Sequence, residues 1–219
     1  MLDPGHGGHD RGAIGPSGLV EKDVTLRLAK RIKEILSGTY AVYLTRNADY
    51  WLSIESRTAV ANHRHADIFI SLHAGGSFEH KARGVAIFLH APDCGQGLSP
   101  EPVEHAGDGG KTMGPWSQIQ LRHTAKSKCL ADLVHNELVE RVHPMNRGIR
   151  EAPCLVLRGA DMPAILVEVG YVSHPAEEAE LMEPEVIATA AEAVCQGIRR
   201  FFTQTSGCMN AKGMIEENV

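Results

Sequence analysis

The clearest indication of the fold is the segment Asp67-Ile68-Phe69-Ile70-Ser71-Leu72-His73-Ala74-Gly75. It joins a short apolar run to small residues, a pattern typical of a strand that is buried in a parallel sheet and ends in a tight turn. Residues 67–72 are therefore predicted to form a strand. Five other apolar runs have the same character, and they lie at 1–3, 40–44, 84–89, 154–157 and 164–169.

Helical periodicity separates several of these strands. Apolar residues recur at helical spacing in four segments, which lie at 26–36, 53–65, 116–142 and 184–202. Alternation of strands and helices is typical of α/β proteins, in which the strands are mainly parallel. The sequence therefore predicts one α/β domain with a mixed, mainly parallel sheet of about six strands and with helices on both faces.

The limits of this domain can also be predicted. The first strand, Met1-Leu2-Asp3, is shorter than the usual length of about 5 residues. We expect it to be truncated at the N-terminus, in a chain cut from a longer precursor that would have carried any export signal. The domain is expected to span 1–203, with a glycine- and proline-rich loop insertion at 91–115 and a tail at 204–219.

Composition excludes several classes of function. The 219 residues carry a net charge of −5, and 43% of them are hydrophobic, as in a globular protein with a full core. Lysines and arginines do not cluster in a stripe, which argues against nucleic-acid binding. No apolar run approaches the ~18 residues of a membrane span. The five cysteines form no C-x-x-C pair, which argues against a zinc ribbon or a redox centre.

Three side chains that can bind metal or transfer protons lie at the ends of predicted strands. His6 follows the strand at 1–3, His73 follows the strand at 67–72, and Glu168 lies near the end of the strand at 164–169. In an open α/β sheet, the carboxyl ends of the strands border the ligand-binding crevice. Taken singly, each histidine is explained more simply as a hydrogen-bonded structural residue. Glu168 has an alternative explanation as an outward-facing or salt-bridged residue, although a carboxylate among Ile, Leu and Val is costly to bury without a partner. Their joint occurrence favours a functional site.

These residue types indicate a catalytic zinc site. Two histidines and one carboxylate are a common ligand set for catalytic zinc, which keeps a fourth position open. A carboxylate beside the metal can take a proton from the bound water. Glu168 cannot fill both roles, so a second carboxylate is needed. Glu21 is a candidate, although spacing alone favours its explanation as an acid that stabilises the N-terminus of the first helix.

Several sequence blocks occur in order along nearly the whole chain: Asp3-Pro4-Gly5-His6-Gly7-Gly8, Glu21-Lys22-Asp23, Leu44-Thr45-Arg46, Arg57 with Ala61-Asn62, 66–74 and 162–173. In these blocks the chain resembles the zinc-dependent N-acetylmuramoyl-L-alanine amidases of bacterial cell walls, the amidase-3 type. The resemblance implies that His6, Glu21 and His73 are the zinc ligands. It also implies that Glu168 is the catalytic glutamate.

The same resemblance implies a reaction and its setting. The reaction is hydrolysis of the amide between the lactyl group of N-acetylmuramic acid and L-alanine, in cell-wall remodelling, daughter-cell separation or lysis. The implied partner is peptidoglycan, and the implied location is the periplasm or the cell surface. The resemblance leaves room for a protein activator, and we expect a monomer that binds no nucleic acid.

Some positions depart from the family pattern or have no settled role. Gly75 and His174 stand where asparagine is common, and both could alter substrate contacts. Asp3 is a candidate to orient His6, because carboxylates often hydrogen-bond a metal-binding histidine. The composition of the loop at 91–115 predicts no helix that would cover the site.

Two other functions stay open on the sequence alone. A related zinc amidohydrolase or carboxypeptidase would use the same ligands on another small amide. A non-catalytic cell-wall-binding module would keep the fold and lose the chemistry. The presence of both histidines and of Glu168 argues against the second of these.

Overall fold

The strands of the protein form one mixed sheet. The computed structural model describes residues 1–91, 119–142 and 145–213, and side chains as far as Gln204. The strands are β1 (Leu2–Pro4), β2 (Phe69–Gly75), β3 (Val85–His90), β4 (Asn146–Ala152) and β5 (Ala164–Tyr171). Their order in the sheet is β1-β2-β5-β3-β4. β1, β2 and β5 are parallel, whereas β3 runs antiparallel to β5 and β4 runs parallel to β3.

Helices cover both faces of this sheet. The described residues contain α1 (Glu21–Leu36), α2 (Ile54–His63), α3 (Thr124–Arg141), α4 (Leu155–Arg158), α5 (Pro175–Met182) and α6 (Pro184–Gly213). The larger core lies between one face and α1, α3 and α6, and the smaller core lies between the other face and α2 and α4. The predicted α/β architecture is confirmed. None of the described helices has the length and apolar character needed to cross a membrane.

Alternation along β2 and β5 divides their side chains between the two cores. Ile70 and Ile165 enter the larger core, whereas Phe69 and Ala164 enter the smaller one. Successive side chains of a strand point to opposite faces, so a strand that is covered on both sides reads as a continuous apolar run. This explains why these two strands were predictable from composition alone.

The sheet has five strands instead of about six, because two predicted strands are wrong and one strand was missed. Residues 40–44 form only a single bridge, between Leu44 and Leu2, since β1 is too short to support a longer ladder. The run at 154–157 is not a strand, because Leu155 begins the single turn of α4. Periodicity alone cannot assign so short an apolar run to a strand or to a helix. β4 was missed because this edge strand is polar and partly exposed.

The predicted helices are confirmed with shifted boundaries. The side chain of Ser53 caps α2 by accepting a hydrogen bond from the amide of Ser56 at 3.2 Å. α3 begins at Thr124, after a 3₁₀ turn. Trp116 lies outside the described residues, and so does the predicted loop insertion at 91–115 except for its first residue. α6 continues to Gly213, past the position where we expected a tail to begin.

The loop that follows β1 is held by two buried arginines. Arg46 donates hydrogen bonds to the carbonyl oxygens of Pro4 and Gly5 at 3.0 and 2.8 Å. Arg57 donates to the carbonyl oxygens of Pro4 and His6 at 2.8 and 2.9 Å. Carbonyl groups that leave the sheet ladder therefore keep partners inside the protein. The position of His6 relative to the sheet is fixed by these bonds.

Asp3 in β1 balances the charge of Arg57 in the interior. Its carboxylate is fully buried and accepts hydrogen bonds from Arg57, Thr45 and Ser71 at 2.8, 2.6 and 2.7 Å. A buried ion pair repays its lost hydration only when the remaining donors and acceptors are also bonded. Both oxygens of Asp3 meet that condition, so the pair can hold the loop in place.

We expect Asp3→Ala to lower the free energy of unfolding by about 3–5 kcal/mol, because it leaves the buried Arg57 charge without its partner. Urea unfolding followed by circular dichroism measures this change. The control is Glu34→Ala, which removes the exposed Arg31–Glu34 pair and is expected to cost no more than about 1 kcal/mol. Similar losses in the two variants would contradict a special role for the buried pair.

Candidate metal centre

Three polar side chains from separate segments meet at the carboxyl ends of β1 and β2. His6 lies on the loop after β1, Glu21 is the first residue of α1, and His73 belongs to β2. One possible ligand atom from each residue lies within 4.8 Å of the others. The structure thus brings together the three residues that the resemblance implies as metal ligands.

The backbone of His6 has a conformation that is rare for a residue with a side chain. Its φ angle is +62°, in the left-handed region, and such strain costs on the order of 1–3 kcal/mol. The hydrogen bond from Arg57 to the carbonyl of His6 helps to hold this conformation. Gly12 passes so close that a Cβ there would stand 2.6 Å from Glu21 Oε2 and from His6 Cδ2. A glycine is therefore required beside the cluster.

The carboxylate of Glu21 joins the two histidines. Its Oε2 lies 3.1 Å from His6 Nε2 and accepts a hydrogen bond from the amide of Ala13 at 2.8 Å. Its Oε1 lies 2.9 Å from His73 Nδ1 and accepts from the amide of Ala74 at 3.1 Å. All four partners lie outside α1. The carboxylate therefore serves the cluster and not the N-terminus of its own helix.

Asp10 orients His6, and the expectation that Asp3 does so is wrong. Asp10 Oδ1 lies 2.9 Å from His6 Nδ1 and accepts a hydrogen bond from the amide of Gly12 at 3.1 Å. This contact directs the other ring nitrogen, Nε2, toward Glu21. Asp3 is instead committed to Arg57 and two hydroxyl groups. The signal in the sequence was an acid four residues after His6 in the same glycine-rich loop.

The cluster is built to hold positive charge against a buried carboxylate. Burial opposes protonation of His6 and His73. The nearby carboxylates outweigh burial and raise the pKa of both imidazoles: Glu21 acts on both, with Asp10 adding to the shift of His6 and Glu168 to that of His73. Burial alone would raise the pKa of Glu21, yet the two histidines hold it well below its usual range. Two imidazole nitrogens and one carboxylate oxygen at these distances also fit the donor set of a divalent transition metal such as zinc.

Glu168 lies beside this cluster on the neighbouring strand. It stands in register with His73 across the β2–β5 pair. Burial raises the pKa of Glu168 to about 7, and the nearby His73 opposes that shift. No described residue hydrogen-bonds its buried Oε2. A carboxylate that titrates near neutral pH with a free oxygen is suited to accept and return a proton.

A cleft of about 490 Å³ opens beside His6 and His73. Its walls include Trp51 and Ile54 before and within α2, and Leu155 in α4 on the other side. These three apolar side chains are 49%, 43% and 54% exposed. Apolar walls that lead to a few convergent polar groups are typical of small-molecule binding sites.

Gly75 and His174, the two positions expected to depart from the family pattern, have defined contacts. A Cβ at Gly75 would stand 2.6 Å from the ring of Tyr171 and 2.7 Å from Glu168 Oε2, so a larger residue would displace both. His174 is the N-cap of α5, where its side chain accepts a hydrogen bond from the amide of Glu177 at 3.5 Å. One departure thus concerns the site, and the other stabilises a helix.

Comparison with known proteins identifies the family of this chain. The model of the family described as Amidase_3, N-acetylmuramoyl-L-alanine amidase, matches residues 1–200. The chain is 34% identical to N-acetylmuramoyl-L-alanine amidase AmiC of Neisseria meningitidis serogroup B, and the match covers 92% of this chain and 52% of that protein. AmiC of Escherichia coli O6:H1 is 31% identical, with coverages of 92% and 52%. The chain thus spans about half the length of these curated relatives.

A solved structure shows the same fold. The amidase AmiC2 of Nostoc punctiforme superposes with a TM-score of 0.73 at 30% sequence identity, over 92% of this chain and 95% of that one. The family model extends over all three residues of the cluster and over Glu168. From this match and the agreement in fold, the chain belongs to the N-acetylmuramoyl-L-alanine amidase family of the amidase-3 type.

Proposed function

We propose that this protein is a zinc-dependent amidase that hydrolyses the bond between the lactyl group of N-acetylmuramic acid and L-alanine in peptidoglycan. The observation that carries the proposal is the cluster of His6, Glu21 and His73 with the unpartnered Oε2 of Glu168 beside it. Membership of the amidase family supports this substrate over another small amide. A wall-binding module without catalysis would not need a buried carboxylate that titrates near neutral pH.

His6, Glu21 and His73 would hold the zinc. Asp10 binds Nδ1 of His6 and so leaves Nε2 for the metal. When bound, zinc polarises the scissile carbonyl and lowers the pKa of a water molecule. The amides of Ala13 and Ala74 fix the Glu21 carboxylate, so its oxygens do not need to reorganise. Rigid ligands of this kind favour one metal geometry.

Glu168 would act as the general base and then as the general acid. Its pKa of about 7 reflects burial, and a positive charge at the cluster would favour the carboxylate form that accepts a proton. In the first step Glu168 takes a proton from the attacking water. In the second step it returns that proton to the nitrogen of L-alanine, so that the amide C–N bond breaks and a free amine leaves.

The setting of the activity follows from its substrate. Peptidoglycan lies outside the cytoplasmic membrane, so we propose that the protein acts in the periplasm or at the cell surface. The apolar walls around Trp51, Ile54 and Leu155 offer room for part of this substrate beside the cluster. A monomeric state and the existence of a protein activator stay predictions.

Glu168→Gln is expected to lower the rate of hydrolysis by about 10²- to 10⁴-fold, because it removes the group that transfers the proton. Purified sacculi are incubated with the enzyme, and stems with a free L-alanine amine are quantified. The zinc content should stay unchanged. Glu151→Gln, at an exposed position of β4, is the matched control and should retain activity. Cleavage only within the peptide stem would contradict the proposed bond.

His6→Ala is expected to abolish stoichiometric zinc binding, because two protein ligands hold a catalytic zinc poorly. Metal analysis of the purified protein after dialysis measures the loss. His63→Ala, which changes an exposed histidine in α2, serves as the control and should retain the metal. Full zinc occupancy in His6→Ala would remove His6 from the ligand set.

Zinc affinity is expected to fall as the pH is lowered. Although burial opposes the shift, the nearby carboxylates, with Glu21 the strongest, raise the pKa of His6 and of His73 above 6.5. Zinc binds only the neutral imidazole. Protons therefore compete with zinc below these raised pKa values, and the affinity should level off above them. Each protonated histidine should reduce the affinity about tenfold per pH unit in that range.

Calorimetry from about pH 5.5 to about pH 8.5, in buffers with different ionisation heats, counts the protons released on zinc binding. Asp10→Asn removes one of the two carboxylates that raise the pKa of His6, so its loss of affinity should begin at a lower pH. An affinity that does not change with pH over this range would show that the histidines are not ligands.

A further inference from the structure

The guanidinium of Arg147 in β4 forms neither a hydrogen bond nor an ion pair with any described residue. Its guanidinium packs over the ring of Tyr171, with Cζ 5.1 Å from the ring centroid. Its buried Nε has no hydrogen-bond partner among the described residues, and none of them forms an ion pair with it. Buried polar groups are nearly always hydrogen-bonded, so an unpaired donor of this kind calls for an explanation. The two terminal nitrogens, Nη1 and Nη2, likewise make no hydrogen bond or ion pair with a described residue, so they can serve a ligand that accepts hydrogen bonds.

Strand direction places Arg147 at the same edge of the sheet as the cluster of His6, Glu21 and His73. β3 and β4 run opposite to β1, β2 and β5, so they begin where the other three strands end. Arg147 is the second residue of β4 and therefore lies at the edge that carries His6 and His73. Across this edge the order is β1, β2, β5, β3 and β4, with Glu168 on β5.

A single aromatic ring separates Arg147 from Glu168. Tyr171 Cε1 and Glu168 Oε2 both lie within 2.7 Å of the point where a Cβ on Gly75 would stand. Burial raises the pKa of Tyr171 and Glu168 adds to the shift, whereas the charges of Arg147 and Arg150 oppose it. Tyr171 therefore lies between a carboxylate on one side and positive charge on the other.

We propose that Arg147 binds a carboxylate of the peptide stem, on the side of the scissile bond that leaves with the amine. This inference rests on the proposed amidase function. Glu168 returns its proton to the leaving nitrogen, so the peptide lies on the β5 side of the cluster. From there the sheet edge continues toward Arg147.

The reach of the stem agrees with this placement. Two extended residues span about 7 Å, so a carboxylate on the residue after L-alanine can extend past the Tyr171 ring. A guanidinium offers a planar fork of donors that fits both oxygens of a carboxylate. Packing on the Tyr171 ring restricts its motion before the substrate arrives. Arginine is better suited to this role than lysine, which is a point charge on a flexible stem.

The test uses two muramoyl peptides that differ in one group. In one substrate the residue after L-alanine has a free carboxylate, and in the other this group is a primary amide. Zinc-loaded wild type is expected to cleave both and to prefer the acid. Arg147→Gln should reduce kcat/KM for the acid by about 10- to 100-fold and for the amide by less than about 3-fold, so the preference disappears. Arg147→Lys should keep part of it.

Arg64→Gln provides a matched control. Arg64 also packs over a tyrosine, with Cζ 4.3 Å from the Tyr43 ring, but it lines a cavity at the opposite ends of β1 and β2. This variant should retain the wild-type preference for the acid. Its result separates recognition of the carboxylate from the general loss of a stacked arginine.

The possible failures can be told apart. If wild type cleaves both substrates equally well, or if Arg147→Gln slows both by the same factor, the carboxylate site is refuted while the amidase function stands. If zinc-loaded wild type cleaves neither substrate nor sacculi, the amidase function and the inference that rests on it both fail. Binding of the free stem peptide to Glu168→Gln gives an independent readout, because Arg147→Gln in that background should weaken binding of the acid alone.

Discussion

The buried carboxylate of Glu21 is the interaction on which the site depends. It connects a loop, a helix and a strand. One oxygen contacts His6 and Ala13 of the loop, and the other contacts His73 and Ala74 of β2. A charge at such a position is tolerated only if its lost hydration is replaced by specific partners. Two backbone amides supply part of this compensation, and positive charge on the histidines or on a metal supplies the rest. The same arrangement that makes the carboxylate tolerable also gives the cluster the donor atoms that the proposed zinc site needs.

The loop that carries His6 is also held by buried side chains that do not belong to the cluster. Arg46 and Arg57 bond the carbonyls of residues 4–6, and Asp3 neutralises Arg57 in the interior. This network is strong enough to hold His6 at a positive φ angle, which the residue would not adopt in an unconstrained loop. Stability and the proposed function are therefore linked, because the buried ion pair that stabilises the domain also fixes His6, the proposed metal ligand. Preorganised ligands of this kind let a site bind without a costly rearrangement.

Sequence patterns were reliable where burial was two-sided and unreliable at the edges of the sheet. β2 and β5 are covered on both faces, so their apolar runs identified them and placed His73 and Glu168 correctly at adjacent strand ends. The edge strand β4 is polar, and it gave no apolar signal. The apolar runs at 40–44 and 154–157 resemble buried strands in composition. The first is buried beside a short strand and the second lies within one helical turn, and either setting also favours apolar residues.

The sequence by itself determined the fold class, the positions of His6, His73 and Glu168 at strand ends, and a resemblance that added Glu21. Local patterns carry this information because apolar periodicity and glycine-rich turns act over a few residues. Only the tertiary structure decided that Asp10 rather than Asp3 orients His6, and that Glu21 points at the histidines instead of serving its own helix. Only strand direction brings Arg147 to the edge that carries Glu168. These relations depend on which elements become neighbours in space, and spacing along the chain does not contain them.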